Sequence, residues 1–191
     1  MSIKIPMFDS DFKPVLKDGK HQEFLLDPTW VKNGMTVDAV RFTEYFGRYL
    51  IGPKLIDDRK APGQQMLIFV GGMSTSQIRN FFGEVRKLQM KGFAENPGDF
   101  AMLRPRLAFA KVRSKENVNA DTRIKDFEQV MVALMDEVEE STKKRKTAEN
   151  DPNMEKEDLA KIQQDNDQNF QNFVDFLEAT VAYHKANGGK N

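Results

Sequence analysis

The most regular apolar stripe in the chain lies at Ile124, Phe127, Val130, Met131, Leu134 and Val138. Steps of three and four residues put all six side chains on one face at about 100° per residue, the period of an α-helix. A helix with such a face is stable only when something packs against it. Three further stretches supply that partner surface. Phe42, Tyr45, Phe46, Tyr49 and Leu50 repeat at i, i+3, i+4, i+7 and i+8, with Thr36 as the expected N-cap and Gly52-Pro53 as the stop. Ile78, Phe81, Phe82, Val85 and Leu88 form a second face, and Phe170, Phe173, Val174, Leu177 and Val181 a third, ended by Gly188-Gly189. Strand signals are nearly absent. The expected fold is therefore all-α, a compact bundle of about five helices.

The helix over 75–91 has the most tightly specified start. Ser74 and Gln77 form a capping box: the hydroxyl takes a free amide of the first turn and the glutamine reaches back to the cap. Met73 and Ile78 occupy the two staple positions around it, and Lys91-Gly92 gives a cationic last turn and a glycine stop. Opposite the apolar face stand Arg79, Asn80, Arg86, Lys87 and Lys91. In "MLRPRLAFAKVRSK", Pro105 fits only a first helical turn, where its missing amide costs nothing. Leu103, Leu107 and Ala110 then face inward, and Arg104, Arg106, Lys111 and Arg113 radiate outward.

Residues 1–35 read as an irregular N-terminal extension, with room for a strand, punctuated by Pro6, Pro14, Gly19, Pro28 and Gly34, and 36–191 as the helical bundle domain. "DDRKAPGQQ" reads as a turn-rich connection, and the charged run at 141–158 as a flexible interruption between two helices. No internal repeat is present.

The 29 basic and 29 acidic residues cancel, which argues against a polycation that simply coats nucleic acid. Their distribution is uneven. Nine bases and three acids fall between Ser74 and Lys115, a balance of +6, whereas 121–183 carries sixteen acids and eight bases, a balance of −8. This asymmetry points to an anionic partner on one surface and a different one, such as a protein, on another. The absence of cysteine excludes disulfides and thiolate chemistry. With no long apolar run and no signal-like N-terminus, a cytoplasmic protein without a membrane partner is expected.

Catalytic signatures are missing. The two histidines, His21 and His184, have no acidic residue at metal-ligand spacing, and no phosphate loop of the Walker type occurs. Gly71-Gly72 before a helix could in principle receive a phosphate, but no glycine fingerprint accompanies it. His184, near a helix C-terminus, reads as a residue that complements the helix dipole or as a surface residue. No cofactor, metal or catalytic set is expected. The eight side chains Arg79, Arg86, Lys87, Lys91, Arg104, Arg106, Lys111 and Arg113 are the candidate contacts for an anionic partner. Two other readings stand beside this one: a scaffold whose charged faces meet only proteins, and a metal-independent nuclease, which the lack of an acid–base pair disfavours.

Three segments carry a resemblance: "TSQIRNFFGEVRKLQ" at 75–89, "LRPRLAFAKVR" at 103–113 and "FVDFLEATVAYHKANGGK" at 173–190. Together they resemble the small helical subunit of type III-A CRISPR effector complexes, the Csm complex. The resemblance covers roughly residues 36–190, and the segments at 1–35 and 141–158 are longer than that pattern. It implies an all-α bundle without catalytic activity. It implies several copies lining the inside of a filament built on the guide RNA, beside other Csm subunits. They would face the guide RNA–target RNA duplex and contact mainly the target strand through its backbone.

Overall fold

A computed structural model describes residues 3–57, 65–113 and 121–189. Seven helical segments follow in chain order: α1 (Trp30–Asn33), α2 (Val37–Leu50), α3 (Thr75–Lys91), α4 (Pro97–Ala101), α5 (Leu103–Arg113), α6 (Asp121–Glu149) and α7 (Lys156–Ala186). Five of them, α2, α3, α5, α6 and α7, run for 11 residues or more. The all-α expectation holds for the body. Six short strands are added, paired antiparallel as β1 (Lys4–Pro6) with β4 (Glu23–Leu25), β2 (Leu16–Lys17) with β3 (Lys20–His21), and β5 (Pro53–Asp57) with β6 (Gln65–Phe69). Most of the connection "DDRKAPGQQ", residues 58–64, lies outside the described residues.

The 31-residue α7 is the centre of the bundle, with α1, α2, α3 and α6 packed around it. All six residues of the α6 stripe are buried, as are Phe42, Phe46, Tyr49 and Leu50 of α2. The phenylalanine-rich composition has a geometric use. Phe127 of α6 stacks on Phe46 of α2 at 6.3 Å and takes the edge of Phe81 of α3 at 5.8 Å, so one ring joins three helices. A second cluster closes the other end: Phe93 stacks on Phe170 at 4.3 Å, and Phe100 meets Phe170 and Phe173 edge to face. Such offset and edge-to-face pairs add to the apolar burial itself. The N-terminal segment joins the same core through Ile5, Phe8, Leu26, Trp30 and Val31.

The caps form as the sequence predicts. Thr36 Oγ1 accepts from the Ala39 amide at 3.1 Å. Ser74 Oγ accepts from the Gln77 amide at 3.1 Å, and the Ser74 amide donates to Gln77 Oε1 at 2.7 Å. Ser74→Ala is therefore expected to cost about 1 kcal/mol of stability. Urea unfolding measures it, and an unchanged midpoint would mean that water replaces the hydroxyl without loss.

Gly71-Gly72 serves packing rather than phosphate. A Cβ on Gly72 would lie 1.9 Å from the Ile51 carbonyl oxygen, so only glycine lets the chain pass the end of α2. Of the amides after it, that of Met73 donates to Leu50 O at 2.8 Å and those of Ser74 and Gln77 are taken by the capping box.

Two expectations are corrected. The run at 141–158 is not a flexible interruption: α6 continues through it to Glu149, and a short turn leads to α7 at Lys156. Its lysines and arginines conceal a buried face. Ser141 and Ala148 are buried against the bundle, Ser141 Oγ accepts from Asn166 of α7 at 2.8 Å, and Arg145 bonds both Glu149 and Asp167. The charges between them are solvated or paired along the helix, as Lys144 is with Glu140 at 3.1 Å.

His184 is not at the surface. It is 1% exposed, and Nε2 stands 2.9 Å from the Met73 carbonyl oxygen, which fixes Nε2 as the protonated nitrogen of the neutral ring. Burial lowers its proton affinity below the ordinary value of 6.5, and the bond to Met73 works in the opposite direction. Because the folded value is depressed, its contribution is full above the unfolded value and is lost as pH falls toward the folded one. The melting temperature is expected to drop below about pH 6.5, and His184→Gln to flatten that part of the profile. Parallel pH profiles for the two proteins would contradict this.

Candidate nucleic-acid interface

The capping box and the buried stripe of α3 fix its rotation, so its polar side chains project from a rigid rod. Arg79, Arg86, Lys87 and Lys91 are all exposed on it, as the sequence predicts. Their surroundings differ. Lys87 Nζ pairs with Glu84 at 2.8 Å, and Lys91 Nζ with Asp99 of α4 at 2.6 Å. Arg86 donates to Gln89 Oε1 at 2.7 Å and lies over the half-buried Phe82 ring at 5.7 Å. Among the described residues neither Arg79 nor Arg86 has a carboxylate partner.

The α5 residues form a second group. Arg106 bonds Glu84, so that one carboxylate serves Lys87 and Arg106 together. The Lys87 hydrogen bond, opposed by slight burial, and then the Arg106 charge hold the Glu84 carboxyl below the usual carboxylate range. Arg104 is a half-buried brace: it reaches Asp136 at 2.7 Å and Glu139 at 3.0 Å on α6. The side chains of Lys111 and Arg113 lie outside the described residues.

Between α3, α5 and the start of α6 lies a cleft of about 740 Å³. Arg79, Asn80 and Lys87 line it from α3, Arg106 and Phe109 from α5, and Ile124 and Phe127 close its floor. Arg86, Lys91 and Arg104 lie outside it.

The sequence reading missed Lys143 and Lys146. They stand i, i+3 on the exposed side of α6, where Lys146 acts on the Glu149 carboxylate only through its charge, without a direct ion pair. They line a shallow depression with Phe93, Pro97 and Phe100. The run "KKRK" was the available signal; recognising it required knowing that the helix continues. Among the described residues no group of three or more His, Asp or Glu side chains could hold a metal ion, and no helix is long and apolar enough to cross a membrane. Chemically, the surface offers fixed guanidinium and ammonium groups to an extended anion. A family model described as Csm2 Type III-A matches residues 54–190. No curated protein and no solved structure matches the chain.

Proposed function

This chain belongs to the Csm2 type III-A family, which makes it a small subunit of the type III-A CRISPR effector complex, and from that premise we propose that it holds the guide RNA–target RNA duplex by its phosphates and carries out no chemistry. The observation that carries the reading is the pair Arg79 and Arg86, exposed on a capped, well-anchored helix with no carboxylate partner among the described residues. A guanidinium without a carboxylate partner has donors available for bidentate bonds to phosphate. Lys87, Lys91, Arg104, Arg106, Lys111 and Arg113 complete the set read from the sequence, with the first four engaged by carboxylates of this chain. Further copies of the subunit, beside other Csm subunits, would each contribute a weak contact, and the contacts would combine through effective concentration. Base pairing between guide and target would set sequence specificity, because phosphate contacts carry no base identity. The reading implies a cytoplasmic setting.

The test is equilibrium binding of target RNA by the assembled complex over a salt series. Wild-type affinity should fall steeply with salt, since each neutralised phosphate releases counterions, and should be similar for different sequences of equal length that match their guides. Replacing Arg79 and Arg86 with alanine should weaken binding and reduce the salt slope by about 0.7–0.9 per contact. An unchanged affinity and slope would overturn the reading. A specific observation favours one alternative: so many of the cations meet carboxylates of their own chain that the subunit could be a scaffold with no RNA contact. The unchanged slope is the result it requires.

A further inference from the structure

Phe109 is 65% exposed, a large aromatic ring on the outside of a chain that buries most of its phenylalanines. It lines the cleft between α3 and α5, and the polar groups that share that cleft with it include the cations Arg79, Lys87 and Arg106 and the amide of Asn80. Glu84 is the acidic residue among the lining residues, so three cations face one carboxylate there. We infer that this cleft receives one unpaired nucleotide of the bound RNA strand, with its base laid on the Phe109 ring and its phosphates held by Arg79 and Arg106. The inference rests on the phosphate-holding function proposed above and adds a base-binding site to it.

The chemistry of the lining selects this occupant. An apolar helix of a partner protein would cover Phe109 but would strip water from Arg79, and from Lys87 and Arg106 beyond what their shared Glu84 carboxylate satisfies, without replacing it. A bare phosphate would satisfy the cations and leave the ring exposed. A nucleotide answers both, because it carries a flat apolar face and an anion a few bonds apart. The cleft, at about 740 Å³, falls within the size range of small-ligand sites. Asn80 offers an amide with both donors and an acceptor, which suits the edge of a base. Gly83 leaves the α3 wall flat: nothing lies within 4 Å of where its Cβ would stand. Bases inside a duplex already have both faces stacked, so an aromatic ring at a protein surface can take only a base that is unpaired or turned out of the helix.

The full-length chain, at low salt, is mixed with three probes: RNA with a single bulged 2-aminopurine, the same RNA fully paired, and free AMP. The bulged RNA should bind with quenched fluorescence. Phe109→Leu should weaken it on the order of tenfold and remove the quench, while leaving the affinity and salt slope of the paired duplex unchanged. Phe109→Trp should restore both. Because the ring is mostly exposed, these variants should keep the wild-type circular dichroism. An unaltered quench and affinity in Phe109→Leu would overturn the base site; a salt-dependent duplex affinity in the same samples would leave the phosphate reading standing. Loss of salt dependence for every probe would remove the phosphate reading, and the base site with it. Binding of free AMP as tight as the bulged RNA would overturn the strand-borne occupant and identify a free-nucleotide site.

Discussion

Phe127→Ala is expected to lower the free energy of unfolding by about 3–5 kcal/mol, the range for removing a large aromatic from a packed core. The ring is buried and contacts Phe46 and Phe81 from two other helices, so truncation opens one void shared by α2, α3 and α6. α2 and α3 are held by side-chain caps and all three helices by long apolar faces, so they cannot each move in to fill it. A domain of this kind has about 5–15 kcal/mol in total, so the variant should sit close to its unfolding transition. Phe81→Ala removes the edge-to-face partner and is expected to fall in the same range, with a loss smaller than additive in the double variant because both act on one void. Urea denaturation with matched slopes measures the losses. A loss under about 1 kcal/mol for Phe127→Ala would mean that the three helices do not meet at this ring.

The helices were legible in the sequence because their apolar residues recur at the helical period, and burial follows that period whatever the partner is. The Ser74–Gln77 box was legible because both of its partners lie within one turn. What escaped the reading depends on distant partners. His184 is buried because the Met73 carbonyl, 111 residues away, accepts its hydrogen bond. Arg104 looked free because Asp136 and Glu139 are 32 and 35 residues away. Charge on a helix face says that a side chain reaches solvent; it does not say whether a carboxylate from another helix meets it there. The strands could not be placed for another reason: at two to five residues they are too short for a period-two pattern to stand out. The continuation of α6 was hidden because the buried Ser141 and Ala148 and the half-buried Arg145 are not the large apolar residues that a stripe is recognised by.

Two triple variants compare the cations of α3 with those of α5. Replacing Arg79, Arg86 and Lys87 with alanine should weaken RNA binding by at least about tenfold and flatten the salt slope by roughly two, because two of the three have no carboxylate to leave. Replacing Arg104, Arg106 and Lys111 should weaken it less and should also lower the melting temperature, because Arg104 ties α5 to Asp136 and Glu139. Those pairs are partly solvated, so the stability loss should stay near 1 kcal/mol. Arg104→Ala alone should reproduce the thermal shift with RNA affinity intact. Equal losses of affinity from both triples would mean that the ion pairs open when RNA arrives and that the two helices act as one charged surface. Glu84→Gln gives the opposite sign. Its carboxylate engages Lys87 and Arg106 together, so removing its charge should raise RNA affinity and steepen the salt slope. A scaffold that never meets RNA has no reason to gain RNA affinity when it loses an acid. A rise in affinity in Glu84→Gln, set against a fall in the α3 triple, therefore separates phosphate binding from loss of structure, which would lower affinity in both.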